Sequence, residues 1–80
     1  MDKHKDPLVV ALAAELDHAQ LEAGLSDVAL ARATGINVQS LRRYLNGERE
    51  MRSTQFLIVT EALNVKPDDI AEAAKKRLEK

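Results

Sequence analysis

Residues 25–47 read Leu-Ser-Asp-Val-Ala-Leu-Ala-Arg-Ala-Thr-Gly-Ile-Asn-Val-Gln-Ser-Leu-Arg-Arg-Tyr-Leu-Asn-Gly, two short helix-forming runs on either side of Gly-Ile. Ser26 is a suitable N-cap for the run Asp27 to Thr34, and Gly35 is the residue best able to end it in a left-handed conformation. Asn37 is placed to cap the next run, Val38 to Leu45, which Asn46-Gly47 stops. With only Gly35 and Ile36 between the runs, the two helices must cross steeply, and the second cannot bury both of its faces. At about 100° per residue, Val38, Gln39, Arg42, Arg43 and Asn46 fall on one side of it and Leu41, Tyr44 and Leu45 on the other. The apolar side is expected inward. The outward set suits base edges in a major groove, because Gln bonds bidentately to adenine, Arg to guanine, and Val touches a thymine methyl.

The breakers outside this stretch divide the rest of the chain into three more segments. All five are rich in Ala, Leu, Glu, Lys, Gln and Arg, so the fold is read as all-α. Asp6-Pro7 opens the first segment as a cap followed by proline, and Gly24 closes it, giving a helix over roughly 7–23 with Val9, Leu12, Leu16 and Ala19 as its apolar stripe. Leu30 and Ala31 are the inward pair of the second segment. Ser53 is expected to cap the fourth, which is apolar over most of its circumference through Phe56, Leu57, Ile58, Val59, Ala62 and Leu63, as a central helix would be. After Lys66-Pro67 the fifth runs from Asp68 to about Leu78, with Ile70, Ala74 and Leu78 at i, i+4 and i+8 and Lys75, Lys76 and Arg77 in its last turn. Residues 1–6 are charged and lack an apolar anchor, so they are expected to form a flexible tail to a single domain over 7–80.

Composition narrows the function. Eighty residues hold one small domain with little core to spare for a substrate pocket, which disfavours an enzyme. The absence of cysteine removes disulfides, thiolate zinc sites and cysteine nucleophiles, and makes the cytoplasm the default compartment. The longest apolar stretch, Leu8 to Ala14, is too short to span a membrane. His4 lies in the tail, and His18, beside Asp17 and Glu22, does not form a recognisable metal-ligand spacing. Asp68 and Asp69 favour a helix N-terminus rather than a catalytic pair. With no phosphate-binding or nucleophile motif, no cofactor and no small-molecule substrate are expected.

The net charge of −1 argues against holding nucleic acid by bulk charge, but the charges are unevenly spread. Residues 7–23 carry Glu15, Asp17 and Glu22 with no Lys or Arg, whereas residues 37–52 carry Arg42, Arg43, Arg49 and Arg52 against Glu48 and Glu50. Only Arg32 and Arg77 lie outside that basic stretch. Neither Arg42 nor Arg43 has a carboxylate four residues away within its helix.

Leu25-Ser26, Leu30-Ala31, Gly35-Ile36, Leu41 and Asn46-Gly47, with Ala62-Leu-Asn-Val65 and Pro67-Asp-Asp-Ile70, resemble the Cro/C1-type (XRE-like) helix-turn-helix repressor family over roughly residues 8–78. The resemblance implies a compact five-helix repressor-like domain that binds duplex DNA through the helix over 37–46. Base reading falls to Val38, Gln39, Arg42 and Arg43, and phosphate contact to Ser26 and Asn37 at helix starts and to Asn46, Arg49 and Arg52 on or after the recognition helix. Three positions depart from the family. Asp27 stands where Gln is common and is left out of the contacts, because a carboxylate would repel phosphate. Gln20 and Leu45 replace an Arg–Glu ion pair together, which reads as a consistent repacking. Tyr44 is expected in the core.

The apolar surplus of the fourth segment and the 70/74/78 stripe offers a seam for a homodimer, one that forms in solution or only on DNA. The expected function is therefore a cytoplasmic, nucleoid-associated transcriptional regulator, a repressor in sign. The competing reading keeps the same fold as a protein-interaction module, such as an antitoxin-like or anti-repressor partner.

Overall fold

The structure, a computed structural model, describes residues 6–79. Among these the chain forms five α-helices and no strand: α1 Pro7–Ala23, α2 Asp27–Thr34, α3 Val38–Leu45, α4 Ser53–Ala62 and α5 Pro67–Leu78. The tail expected over 1–6 lies outside the described residues except for Asp6, whose carboxylate accepts from the Leu8 N–H at 2.9 Å and caps α1.

Local chemistry fixes most boundaries where the sequence puts them. Ser26 Oγ accepts from the Ala29 N–H at 3.0 Å, and Asn37 Oδ1 accepts from Gln39 and Ser40 N–H at 2.9 and 3.2 Å. These bonds satisfy donors that the first helical turn leaves without partners. Gly35, at φ 76°, ends α2 with its N–H on the Ala31 carbonyl at 2.8 Å. The start of α4 differs from the expectation: Ser53 is already helical, and the cap position belongs to Arg52. An arginine side chain has no acceptor, so the capping is reversed, with Gln55 Oε1 accepting from the Arg52 N–H at 3.1 Å.

Leu16 and Ala19 of α1, Leu30 and Ala31 of α2, Leu41 and Leu45 of α3, Val59 and Leu63 at α4, and Ile70 of α5 form one core. Full burial of a leucine side chain is worth about 1.5–3 kcal/mol, so Leu16, Leu30 and Leu41 hold the first three helices together. The longest packing runs between α1 and α5, while α2 packs on α3 and α4. The α1 stripe is the expected one at Leu16 and Ala19 and differs toward the start of the helix. Ala11 and Ala13 are also buried, whereas Val9 and Leu12 are only half-buried, Leu12 against the core.

The fourth helix is likewise not buried all round, since Leu57 and Ile58 face outward. Its buried side is Val59 and Thr60, with Phe56 half-buried and Leu63 just beyond its end, a period of i, i+3, i+4 and i+7. Thr60 tolerates that position because its hydroxyl donates to the Leu57 carbonyl at 3.0 Å.

Candidate nucleic-acid interface

The third helix divides sharply. Leu41 is fully buried and Leu45 nearly so, which roots α3 in the core, while Gln39, Arg42, Arg43 and Asn46 are all exposed on its other side. Val38 does not join the outward set fully. It lies three residues before Leu41 and seven before Leu45, and half of it packs against the core. The helical wheel groups it with Arg42, four residues on, but a side chain on the boundary between the two faces turns toward the apolar one. Tyr44 is half-buried, as expected for a ring with its body inside and its hydroxyl at the edge.

The chain leaves α3 through a tight reversal. The Asn46 N–H bonds to the Arg42 carbonyl at 2.9 Å, Gly47 takes φ 76°, and the Glu48 N–H returns to the Arg43 carbonyl at 2.9 Å. Gly47 is buried against α1, where an added Cβ would stand 3.3 Å from Val10 Cα. This contact sets the path of the loop that carries Arg49 and Arg52, both exposed. Among the described residues, no carboxylate lies within ion-pair distance of Arg43, Arg49 or Arg52. Ser26 and Asn37 are exposed at the starts of α2 and α3, with their side-chain oxygens engaged in capping.

Arg42 differs from the other arginines. Its Nε donates to Asp27 Oδ2 at 3.0 Å, across the turn from the first residue of α2. Asp27 Oδ1 accepts from Gln20 Nε2 at 2.8 Å, and the same Gln20 amide donates to the Leu25 carbonyl at 3.0 Å. Gln20 is buried, and no buried side-chain polar atom among the described residues lacks a partner. The hydrogen bond from Gln20, then that from Arg42, holds the Asp27 carboxyl below its ordinary 3.8.

In the sequence Gln20 and Asp27 stand as separate departures, and the helix of Arg42 holds no carboxylate partner for it. The pair spans 15 residues and exists because α2 and α3 cross tightly. The signal available was that two unusual polar residues, at 20 and 27, occur together near the start of α2. Leu45, paired with Gln20 in the sequence reading, is buried in the core, as an apolar repacking requires.

The remaining charge pairs lie elsewhere. Arg77 of α5 binds Glu15 of α1, and His18 faces Glu22 at 3.3 Å on the outer surface of α1.

A family profile described as a helix-turn-helix domain matches residues 11–73. Two crystal structures of the clp gene regulator ClgR from Corynebacterium glutamicum share the fold. One superposes with a TM-score of 0.84 at 24% identity over 94% of this chain and 96% of that one. The other gives a TM-score of 0.86 at 24% identity over 92% and 79%. No curated protein sequence matches the chain.

Proposed function

The chain belongs to the helix-turn-helix domain family, and from that membership we propose that it is a sequence-specific regulator of transcription, a repressor, that reads duplex DNA through the outward face of α3. The observation that carries the reading is the division of α3: Leu41 and Leu45 fix the helix in the core while Gln39, Arg42, Arg43 and Asn46 project from it. A helix rooted along one side and polar along the other is the shape that enters a major groove.

In this reading Gln39, Arg42 and Arg43 contact base edges, and Val38 offers only its outer methyl to a thymine. Arg49, Arg52 and Asn46 take flanking phosphates. At Ser26 and Asn37 the phosphate meets backbone N–H groups and the positive end of the helix, because the side-chain oxygens are already occupied by caps. Residues 7–80 act as one DNA-binding domain, two copies pair on a palindrome, and the protein works in the cytoplasm at the nucleoid. It is a binding protein, with no reaction assigned to any residue.

Selection of bound fragments from a random duplex pool tests this directly. Enrichment of a motif, with affinity that falls steeply as salt rises, supports it. No enrichment overturns it in favour of an interaction module on the same fold.

A further inference from the structure

We propose that Asp27 is a positioning residue that sets base specificity, holding the Arg42 guanidinium so that its outer edge reads a guanine. This rests on the DNA-binding reading above.

The argument begins with the number of donors. A guanidinium presents five N–H groups in one plane, and one side of that plane carries the Nε–H. In this structure the Nε–H is committed to Asp27 Oδ2, and among the described residues the two Nη groups donate to nothing. The Nη pair forms the fork that matches guanine O6 and N7. A carboxylate on Nε therefore leaves the base-reading edge open while it removes rotational freedom from a long side chain. An unsupported exposed arginine would lose that freedom on binding and would lie as readily along a phosphate.

Asp27 suits this task because it is itself held. Its other oxygen accepts from Gln20, whose amide is buried on α1 and also tied to the Leu25 carbonyl. The chain of contacts thus runs from a buried residue of the longest helix, through the first residue of α2, to the exposed face of α3. Each carboxylate oxygen has a donor, and the charge of Asp27 is neutralised by the arginine it holds. The repulsion expected between this carboxylate and DNA is correspondingly reduced.

A purely stabilising role accounts poorly for the arrangement, since the side chains of Arg42 and Asp27 are 51% and 37% exposed and pairs in such positions add little to stability. An obstructive role is the sharper competitor: a carboxylate bound to the arginine competes with DNA for it. The two roles differ in sign. A positioning residue, when removed, lowers the preference for guanine, and the freed arginine raises nonspecific binding. An obstructing residue, when removed, raises specific and nonspecific binding together.

The experiment compares wild type, Asp27→Ala, Arg42→Ala and the double variant against three duplexes: the motif selected by wild type, the motif with 7-deazaguanine at the guanine on which Arg42 depends, and a scrambled control. Asp27→Ala is expected to lose about tenfold of the preference for that guanine, within the range of one bidentate arginine contact. It should bind the scrambled duplex as well as wild type or better, with a salt dependence steeper by about one charge. The 7-deaza substitution should penalise wild type more than Asp27→Ala. In the Arg42→Ala background, Asp27→Ala should change the base preference no further, which separates positioning from a general loss of structure.

Unchanged guanine preference in Asp27→Ala, or a parallel rise on all three duplexes, overturns the proposal while the DNA-binding reading stands. A selected motif with no guanine dependent on Arg42 does the same. Failure of wild type to enrich any motif overturns both.

Discussion

Gly35 and Gly47 share a left-handed backbone at φ 76°, yet they are needed for different reasons. Around Gly35 an added Cβ meets no atom within 4 Å, so the cost of a side chain there is conformational alone. That cost is about 1–2 kcal/mol for most residues and larger for a β-branched one. Gly35→Val is therefore expected to lower the thermal midpoint by roughly 4–8 °C or more, the shift that ~1 kcal/mol produces in a domain of this size. Gly35→Asn should recover most of the loss, and a midpoint for the valine variant equal to that of wild type would contradict the turn geometry. At Gly47 the same conformational cost is joined by the approach to Val10, so Gly47→Ala should be the more damaging alanine of the two in parallel melts. Asp27 carries a pH prediction. Its folded carboxyl is held below the ordinary value, first by Gln20 and then by Arg42, so its contribution to stability is present above the unfolded value and is lost as pH falls through the lower folded one. The difference in thermal midpoint between wild type and Asp27→Asn should be constant from neutral pH to about 5 and shrink only below about 4. A difference that already closes near pH 6 would mean that the carboxylate is not held. The glycine turn was readable in the sequence because it depends on neighbours along the chain. The Asp27–Arg42 contact was not, because it depends on the angle at which two helices cross.

At the scale of the helix, the proposed reading divides DNA contact between α3 and the loop after it. Arg42 and Arg43 project from a helix whose other side is buried, so their directions are fixed by the core. Arg49 and Arg52 sit on irregular backbone, where charge matters more than aim. Arg42→Ala and Arg43→Ala are expected to weaken binding to the selected motif by about 1–3 kcal/mol more than binding to a scrambled duplex. Arg49→Ala should weaken both alike and reduce the salt slope by about one. Equal losses on the two duplexes for Arg42 and Arg43 would make them phosphate contacts. The limits of α1, α2 and α3 were legible because each has a polar cap in front and glycine or Asn-Gly behind. The buried face of α4 was not. Phe56, Leu57, Ile58 and Val59 are consecutive and cover the whole circumference, so periodicity has nothing to select. Packing selected instead, and it placed a threonine inside and two large aliphatic residues outside. The same limit applies to Val38, whose position on the wheel is equally close to the reading face and to the core.

Those outward side chains bear on how the whole molecule meets DNA. Leu57 and Ile58 of α4 and Leu78 at the end of α5 remain 51%, 43% and 49% exposed, and all three belong to helices other than α3, which carries the proposed reading face. The molecule measures 32 × 29 × 21 Å, and a two-fold axis holds equivalent points at twice their distance from it. Half-sites one helical turn apart, roughly 34–36 Å, therefore need a reading helix about 17–18 Å from the axis, which lies within these dimensions. A two-fold seam through α4 and α5 is compatible in size with presenting two copies of α3 to one face of the duplex, and a two-fold axis sets the exposed apolar side chains of one copy against those of the other. Three half-exposed side chains fall short of the roughly 800 Å² per partner of a standard stable interface. The expected behaviour is a monomer at low concentration that pairs on a palindromic site, where DNA holds the two copies together and adds its own binding free energy to a weak seam. Sedimentation with a full palindrome should give two protomers per duplex, and a single half-site should bind much more weakly. Leu78→Glu or Leu57→Arg should reduce binding to the palindrome toward the half-site value and leave half-site affinity unchanged, because neither residue lies on the reading face. Tight one-to-one binding to the half-site by wild type would remove the dimer, and full cooperativity in both variants would move the seam away from α4 and α5.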